Sequence, residues 1–315
     1  MYKKIKTNDG SYTLYNSKFD ENYHSISGAV QESYHKFIFP CKILFSKQKI
    51  SILDIGFGLG LNCFCTLFYI SKISTEKKKV IFYSFENDID LFNNLNEELY
   101  LNNDKNDNFD LSFIEFFLSK LKNKLNDINI KNNINDDENS FYIEYSYQNI
   151  DVKHYFFIGD VRKFNFENLN YDICYHDPFS FHNNLELWTY DFLKKIIKNL
   201  NFFFLTYSFS LPFLNSVNNL KLDLFEIDPI GRKTPSILAI KKSNFLNCFK
   251  FNLSVYKPLN DIYYKYLKSK SAICYFDKKF DLNNDQIKEN RVELVSNSNL
   301  ESLSKIKKTC KLSPK

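Results

Sequence analysis

Short apolar runs recur along the chain at 50–54, 80–85, 154–158, 171–176, 202–207, 223–227 and 236–241. Each has the length of a strand and is bounded by polar or glycine-containing segments. The stretches near 60–73, 88–100, 109–125, 185–200 and 211–220 read as helices. Strand and helix in alternation predict an α/β domain with a mostly parallel sheet covered on both faces. Ligands of such sheets bind beyond the carboxyl ends of the strands. Residues 1–48 follow another pattern, of short extended pieces and turns, with a turn signal at 8–11 and strand-like residues at 11–15. The predicted organisation is an N-terminal segment at 1–48, a core domain at 49–245 and a C-terminal extension at 246–315. The core carries an insertion at about 102–150, rich in Asn, Asp and Lys, in which 131–139 reads as a solvated loop. No internal repeat is visible.

Composition narrows this picture modestly. The 315 residues, 44% hydrophobic, suffice for one large domain with appendages. The 33 Phe and 21 Tyr, with Lys and Asn in place of Arg and Ala, read first as codon bias. A formal net charge of +5 permits contact with a polyanion without demanding it. No segment has the apolar length of a membrane span, and the N-terminal residues hold no signal-peptide run. The expected compartment is cytoplasmic, with no membrane partner. Seven cysteines then read as reduced, mostly buried thiols. Cys63 and Cys65 lie two apart on a predicted helix and point to different sides, so no metal site is expected.

The candidate chemistry starts at 51–62, SILDIGFGLGLN. A strand ends at Asp54, and Gly56, Gly58 and Gly60 lead into a helix. Such a turn brings bare backbone N–H groups up to a ligand. The dinucleotide fingerprint G-x-G-x-x-G fails, because Leu61 stands where its third glycine belongs. The pattern D-x-G-x-G-x-G instead resembles the first motif of S-adenosylmethionine (SAM) methyltransferases. Further carboxylates close later strands: Glu86, Asp160 and Asp177. Along one sheet edge, Glu86 suits the ribose hydroxyls and Asp160 the adenine amine. Asn62 suits either the methionine carboxylate or a helix cap. A carboxylate at a strand end equally serves to cap the next helix.

Asp177-Pro178-Phe179-Ser180 resembles the D/N-P-P-Y/F motif of methyltransferases that act on exocyclic amino groups, with Phe179 replacing the second proline. Methyl transfer to nitrogen needs a lone pair aligned with the methyl and a place for the departing proton. Asp177 can orient the amine and take the proton. Pro178 fixes the backbone so that carbonyls face the amine. Phe179 can stack on a base or sit beside a cation.

The run HDPFSFHNNLELWTYDFLKKI resembles the signature of the methyltransferase half of MnmC, the bacterial tRNA wobble-uridine modification family; Asn184, Leu187, Trp188 and Thr189 fit it. Segments 9–33, 205–210, 231–242 and 272–294 are similar to other parts of that family, and the middle insertion is least similar. The resemblance implies a Rossmann-like SAM-dependent methyltransferase fold, a mostly parallel seven-stranded sheet with an antiparallel last strand. It implies SAM as cofactor, tRNA as partner, and methylation of 5-aminomethyl-(2-thio)uridine to its methylaminomethyl form, with Asp177 catalytic. The family's flavin-bearing oxidase half has no room in 315 residues. Tyr23, His24 and Ser25 are candidates for the uridine pocket, with Glu32 anchoring their segment. Trp188 packs under the Asp177 loop or lines the pocket. Arg162 and Arg232 are candidates for phosphate contact, because guanidinium offers a planar fork, or equally for a surface ion pair. An amino-methyltransferase acting on a DNA base or small amine, and a catalytically silent SAM-fold module, remain open alternatives.

Overall fold

The nine-stranded main sheet of the computed structural model, which describes residues 2–100, 110–127, 140–248 and 253–312, has its most buried strands toward the centre. The strands in chain order are β1 (Tyr2–Lys6), β2 (Tyr12–Asn16), β3 (Glu21–Asn22), β4 (Lys49–Ile55), β5 (Lys78–Glu86), β6 (Ser140–Tyr147), β7 (Ile150–Ile158), β8 (Tyr171–His176), β9 (Leu200–Thr206), β10 (Asp223–Ile227), β11 (Ser236–Ile240) and β12 (Lys257–Pro258). The first three form a small antiparallel sheet of their own, and the main sheet runs β12-β10-β11-β9-β8-β4-β5-β7-β6. β4 pairs in parallel with both β5 and β8, and β8 with β9. β11 runs antiparallel between β9 and β10. Every residue of β8 is buried, as expected for a strand covered on both faces.

All seven expected strands are present, and β11 is the expected antiparallel member. Two more strands widen the sheet. β6 lies in the expected insertion and pairs antiparallel with β7. It exposes and buries alternate residues, sinking Phe141, Ile143, Tyr145 and Tyr147 into the core. That period of two is a strand signature, which the surrounding Asn- and Lys-rich sequence obscured. The expected loop at 131–139 lies outside the described residues.

The first four α-helices among the described residues are α1 (Ala29–Ser33), α2 (Leu61–Ile73), α3 (Ile89–Asn94) and α4 (Leu111–Asp127); α2 and α4 cover one face of the sheet, with Phe37, Phe64, Phe117 and Phe156 in that core. The other is covered by α5 (Tyr190–Lys198) and α6 (Leu211–Asn219), around Trp188, Phe192 and Phe213. The C-terminal extension joins this second core through Leu267, Ala272 and Ile287. The carboxyl ends of β4, β5, β7, β8 and β9 open onto one edge, where the N-terminal sheet lies across them.

Candidate active site

A cavity of about 410 Å³ lies at that edge, within the range usual for small-molecule sites. Its floor is the glycine turn. Gly56 and Phe57 both donate to the Phe85 carbonyl, and Gly58 donates to Glu86 Oε2 at 2.9 Å. A Cβ on Gly56, at φ +85°, would come within 2.7 Å of the Asp177 carbonyl oxygen. The absent side chain thus lets two loops meet. Gly60 starts α2 in the left-handed region, with no side-chain cap. Opposite, a Cβ on Gly159 would meet nothing within 4 Å, so open space stands over the end of β7.

The carboxylates differ in how they are held. Glu86 accepts from the backbone N–H groups of Gly58, Asn87 and Asp88, at 2.9, 2.9 and 3.0 Å. Burial outweighs those bonds and pushes its carboxyl up to about 7. Asp54 is placed beneath the cavity rather than in its lining. Its Oδ2 accepts from Ser84 Oγ at 3.0 Å and from Cys63 Sγ at 3.3 Å, while Oδ1 is buried without a partner. Burial raises Asp54 to about 7 as well. Asp160 takes Arg162 Nε on both oxygens, Arg162 Nη2 on Oδ2 and the Arg162 backbone N–H on Oδ1.

Asn62 neither caps its helix nor lines the cavity. Its Nδ2 donates to Asp177 Oδ2 at 3.0 Å. Asp177 hangs from β4 through its N–H, which donates to the Ile55 carbonyl at 3.0 Å. Enclosure first, and the nearby Glu32 charge second, raise Asp177 to about 7 against the pull of Asn62, Lys36 and Arg232. The next two carbonyls are engaged from below rather than turned to an amine. Pro178 O accepts from Tyr207 Oη at 2.9 Å, and Phe179 O from Trp188 Nε1 at 3.0 Å. Trp188 is fully buried, so it supports the loop and does not line the cavity.

The N-terminal segment forms the roof. Phe19 stacks on Phe179 with ring centroids 4.5 Å apart, and Tyr23 leans on the same ring at 5.1 Å. The Ser180 N–H donates to Glu21 Oε2 at 3.0 Å. On the other flank, Asp88 Oδ2 accepts from Tyr2 Oη at 2.5 Å and from Asn16 Nδ2 at 3.1 Å. The Ser25 N–H donates to Glu32 Oε2 at 2.8 Å, and Glu32 is paired with the buried Lys36. His24 lines the cavity with Nε2 buried and unpartnered; burial lowers its ring to about 4, so it is neutral at pH 7.

Both arginines are turned into the protein, not outward as forks for phosphate. Beyond Asp160, Arg162 Nη1 donates to Asp277 Oδ2 and to the Leu282 carbonyl, each at 2.8 Å. Arg232 donates to the carbonyls of Tyr207, Thr234 and Pro235, bracing the turn before β11. Phe19, Glu21, Asp88, Glu186 and Tyr207 line the cavity without having been singled out from sequence. No local pattern marks them, because their partners lie far along the chain. Among the described residues, no cluster of His, Cys, Asp or Glu is arranged to hold a metal, and no helix is long and apolar enough to cross a membrane.

The donor set fits SAM. Asp177 and Glu86 are carboxylates held near neutrality in a closed space, and a ligand bearing sulfonium and ammonium charge relieves that. The glycine turn forms the floor, and the space over Gly159 is open to a ligand.

Comparison with known proteins agrees. Residues 129–242 match the family model described as S-adenosyl-L-methionine-dependent methyltransferase. The crystal structure of MnmC2 from Aquifex aeolicus superposes with a TM-score of 0.69 at 26% identity, covering 95% of this chain and 86% of that one. A protein of Methanocaldococcus jannaschii described as uncharacterized is 29% identical over 301 residues, 92% of this chain and 71% of its own length.

Proposed function

We propose that this chain, an MnmC-like methyltransferase whose cofactor is SAM, methylates the amine of 5-aminomethyl-(2-thio)uridine at the tRNA wobble position, giving the 5-methylaminomethyl form. The observation that carries the reading is Asp177, a carboxylate poised near 7 where the cofactor floor meets the aromatic roof. An alkylamine is an ammonium ion at neutral pH and has no lone pair until it sheds a proton. A base whose pKa matches the working pH is the efficient acceptor for it. Asp177 takes that proton, and the neutral amine then attacks.

The bound cofactor supplies an electrophilic methyl on sulfonium. Asn62 fixes which way the Asp177 carboxylate faces. Tyr207 and Trp188 hold the loop carbonyls, so the amine is presented to the methyl in one geometry. Phe19, Phe179 and Tyr23 cover the reacting groups. Neutral His24 offers the uracil ring a hydrogen bond without adding a cation beside the sulfonium. The acceptor's identity is supported by the 177–189 run and by the likeness to MnmC2.

The test uses methyl-labelled SAM and tRNA from cells lacking this step, with nucleosides resolved by mass spectrometry. Label in the methylaminomethyl uridine is expected. Label in DNA or in a small amine, with none in tRNA, overturns the acceptor. The cofactor is checked separately by melting: ligand at a hundred times its Kd stabilises by about 2.7 kcal/mol.

A further inference from the structure

The cavity lining holds two carboxylates, Asp160 and Glu186, that differ in what they can still accept. An ionised carboxylate has about four lone-pair directions. Asp160 already takes three N–H groups of Arg162 in four contacts, two on Oδ1 and two on Oδ2, with the Nε–H shared between them. That guanidinium is further locked by Asp277, whose side chain is fully buried, so it is not free to swing away. Glu186 also lines the cavity, and its Oε2 is buried with no hydrogen-bond partner. It feels the charges of Arg162, Asp160 and Asp277, which places it near them. Next to Asp160 in the chain, Gly159 leaves open space in the same lining.

We infer that the Glu186 carboxylate, not Asp160, accepts the hydrogen bond from the adenine amino group of the cofactor, and that Asp160 is a positioning residue which holds Arg162. The physical pressure is plain. A buried acceptor with no donor is costly, and the exocyclic amine is the one donor on the purine edge. The Trp188 side chain fixes the short turn Leu185–Trp188 that carries Glu186, since it is packed in the core and bonded to Phe179 O. The inference rests on the cofactor and is independent of the acceptor.

The test compares binding of S-adenosylhomocysteine and S-inosylhomocysteine by calorimetry. The inosine form carries a carbonyl where adenine has the amine, and an N–H where adenine has the N1 acceptor, so the amine contact is read from how the ratio changes between variants. A hydrogen bond to a charged group is worth roughly tenfold to a hundredfold in affinity, and the wild type is expected to prefer adenine by that ratio. Glu186→Gln puts an N–H donor at the site and is expected to bring the ratio near one. Glu186→Asp keeps the charge, withdraws it by one methylene, and is expected to fall between. Asp160→Asn is expected to keep the wild-type ratio whatever it does to overall affinity. An unchanged ratio in both Glu186 variants, or a collapsed ratio in Asp160→Asn, overturns the inference. Failure of S-adenosylhomocysteine to bind the wild type would instead contradict the cofactor.

Discussion

On its cofactor side the cavity is made largely of backbone: the glycine turn, and a Glu86 carboxylate filled by three N–H groups within two residues of itself or in that turn. On the side proposed for the acceptor it is made of side chains that meet across long spans: Phe19 on Phe179, Glu21 on Ser180, Tyr207 on Pro178. The first side reads as a rigid cradle for a ligand common to many enzymes. The second leaves His24 Nε2, Asn22 Oδ1 and Ser180 Oγ buried without partners in the lining. On the proposed reading, an arriving acceptor would satisfy these groups. A fixed cofactor can be held by geometry that any sequence with the right glycines supplies. A particular acceptor has to be recognised by side chains, and those are free to differ between relatives.

The sharpest way to break this division is at Asp177, where the two sides touch. Asp177→Asn keeps shape and removes the proton acceptor. Single-turnover methyl transfer should fall by about 10²- to 10⁴-fold, while calorimetry shows cofactor affinity within a few-fold of wild type. Equal loss of binding would move Asp177 to the cofactor side. Gly56→Ala should strike both sides together. Its Cβ would press on the Asp177 carbonyl at a φ of +85°, and such strain costs about 1–3 kcal/mol. Melting and cofactor titration should both register it.

Protonation sharpens the comparison further. Burial raises Asp54, Glu86 and Asp177 to about 7, whereas carboxylates in an unfolded chain sit near 4. Between those values the folded state holds more protons than the unfolded one, so stability falls as pH rises. The ligand-free protein should therefore melt lower at pH 8 than at pH 5. Saturating SAM should flatten that slope, because its positive charges favour the ionised carboxylates. Methyl transfer should show the opposite trend, with kcat/KM rising to a plateau above pH 7 as Asp177 ionises. Asn62→Ala should shift that inflection upward, since the amide bond lowers Asp177. The smallest effect belongs to Phe19→Ala, which removes one stacked pair worth about 0.5–1.5 kcal/mol. It should raise KM for the acceptor and leave cofactor affinity unchanged.

How much of this was legible follows the same division. The seven core strands and the glycine turn announce themselves through local apolar runs and a short spacing, which depend only on neighbours in sequence. The helix at 109–125 appears as α4 for the same reason. β6 escaped because its alternation sits inside a polar, Asn-rich stretch. In sequence Arg162 and Arg232 look like surface forks until their carbonyl and carboxylate partners are seen. Asn62 was read for the cofactor, although its partner Asp177 lies 115 residues away. Glu186 was invisible, because nothing in the sequence says that Asp160 is already taken.

The Arg162–Asp277 pair has a consequence for how the protein comes into being. Arg162 leaves the ribosome 115 residues before the carboxylate that locks it. Until then the strand ends can form, but the guanidinium has only Asp160 to hold it. Tyr2 likewise waits 86 residues for Asp88. Closing such distant contacts is slow relative to local structure. During synthesis the pocket is therefore among the last parts to set, and a nascent chain stalled before Asp277 would carry the sheet without a finished site for SAM.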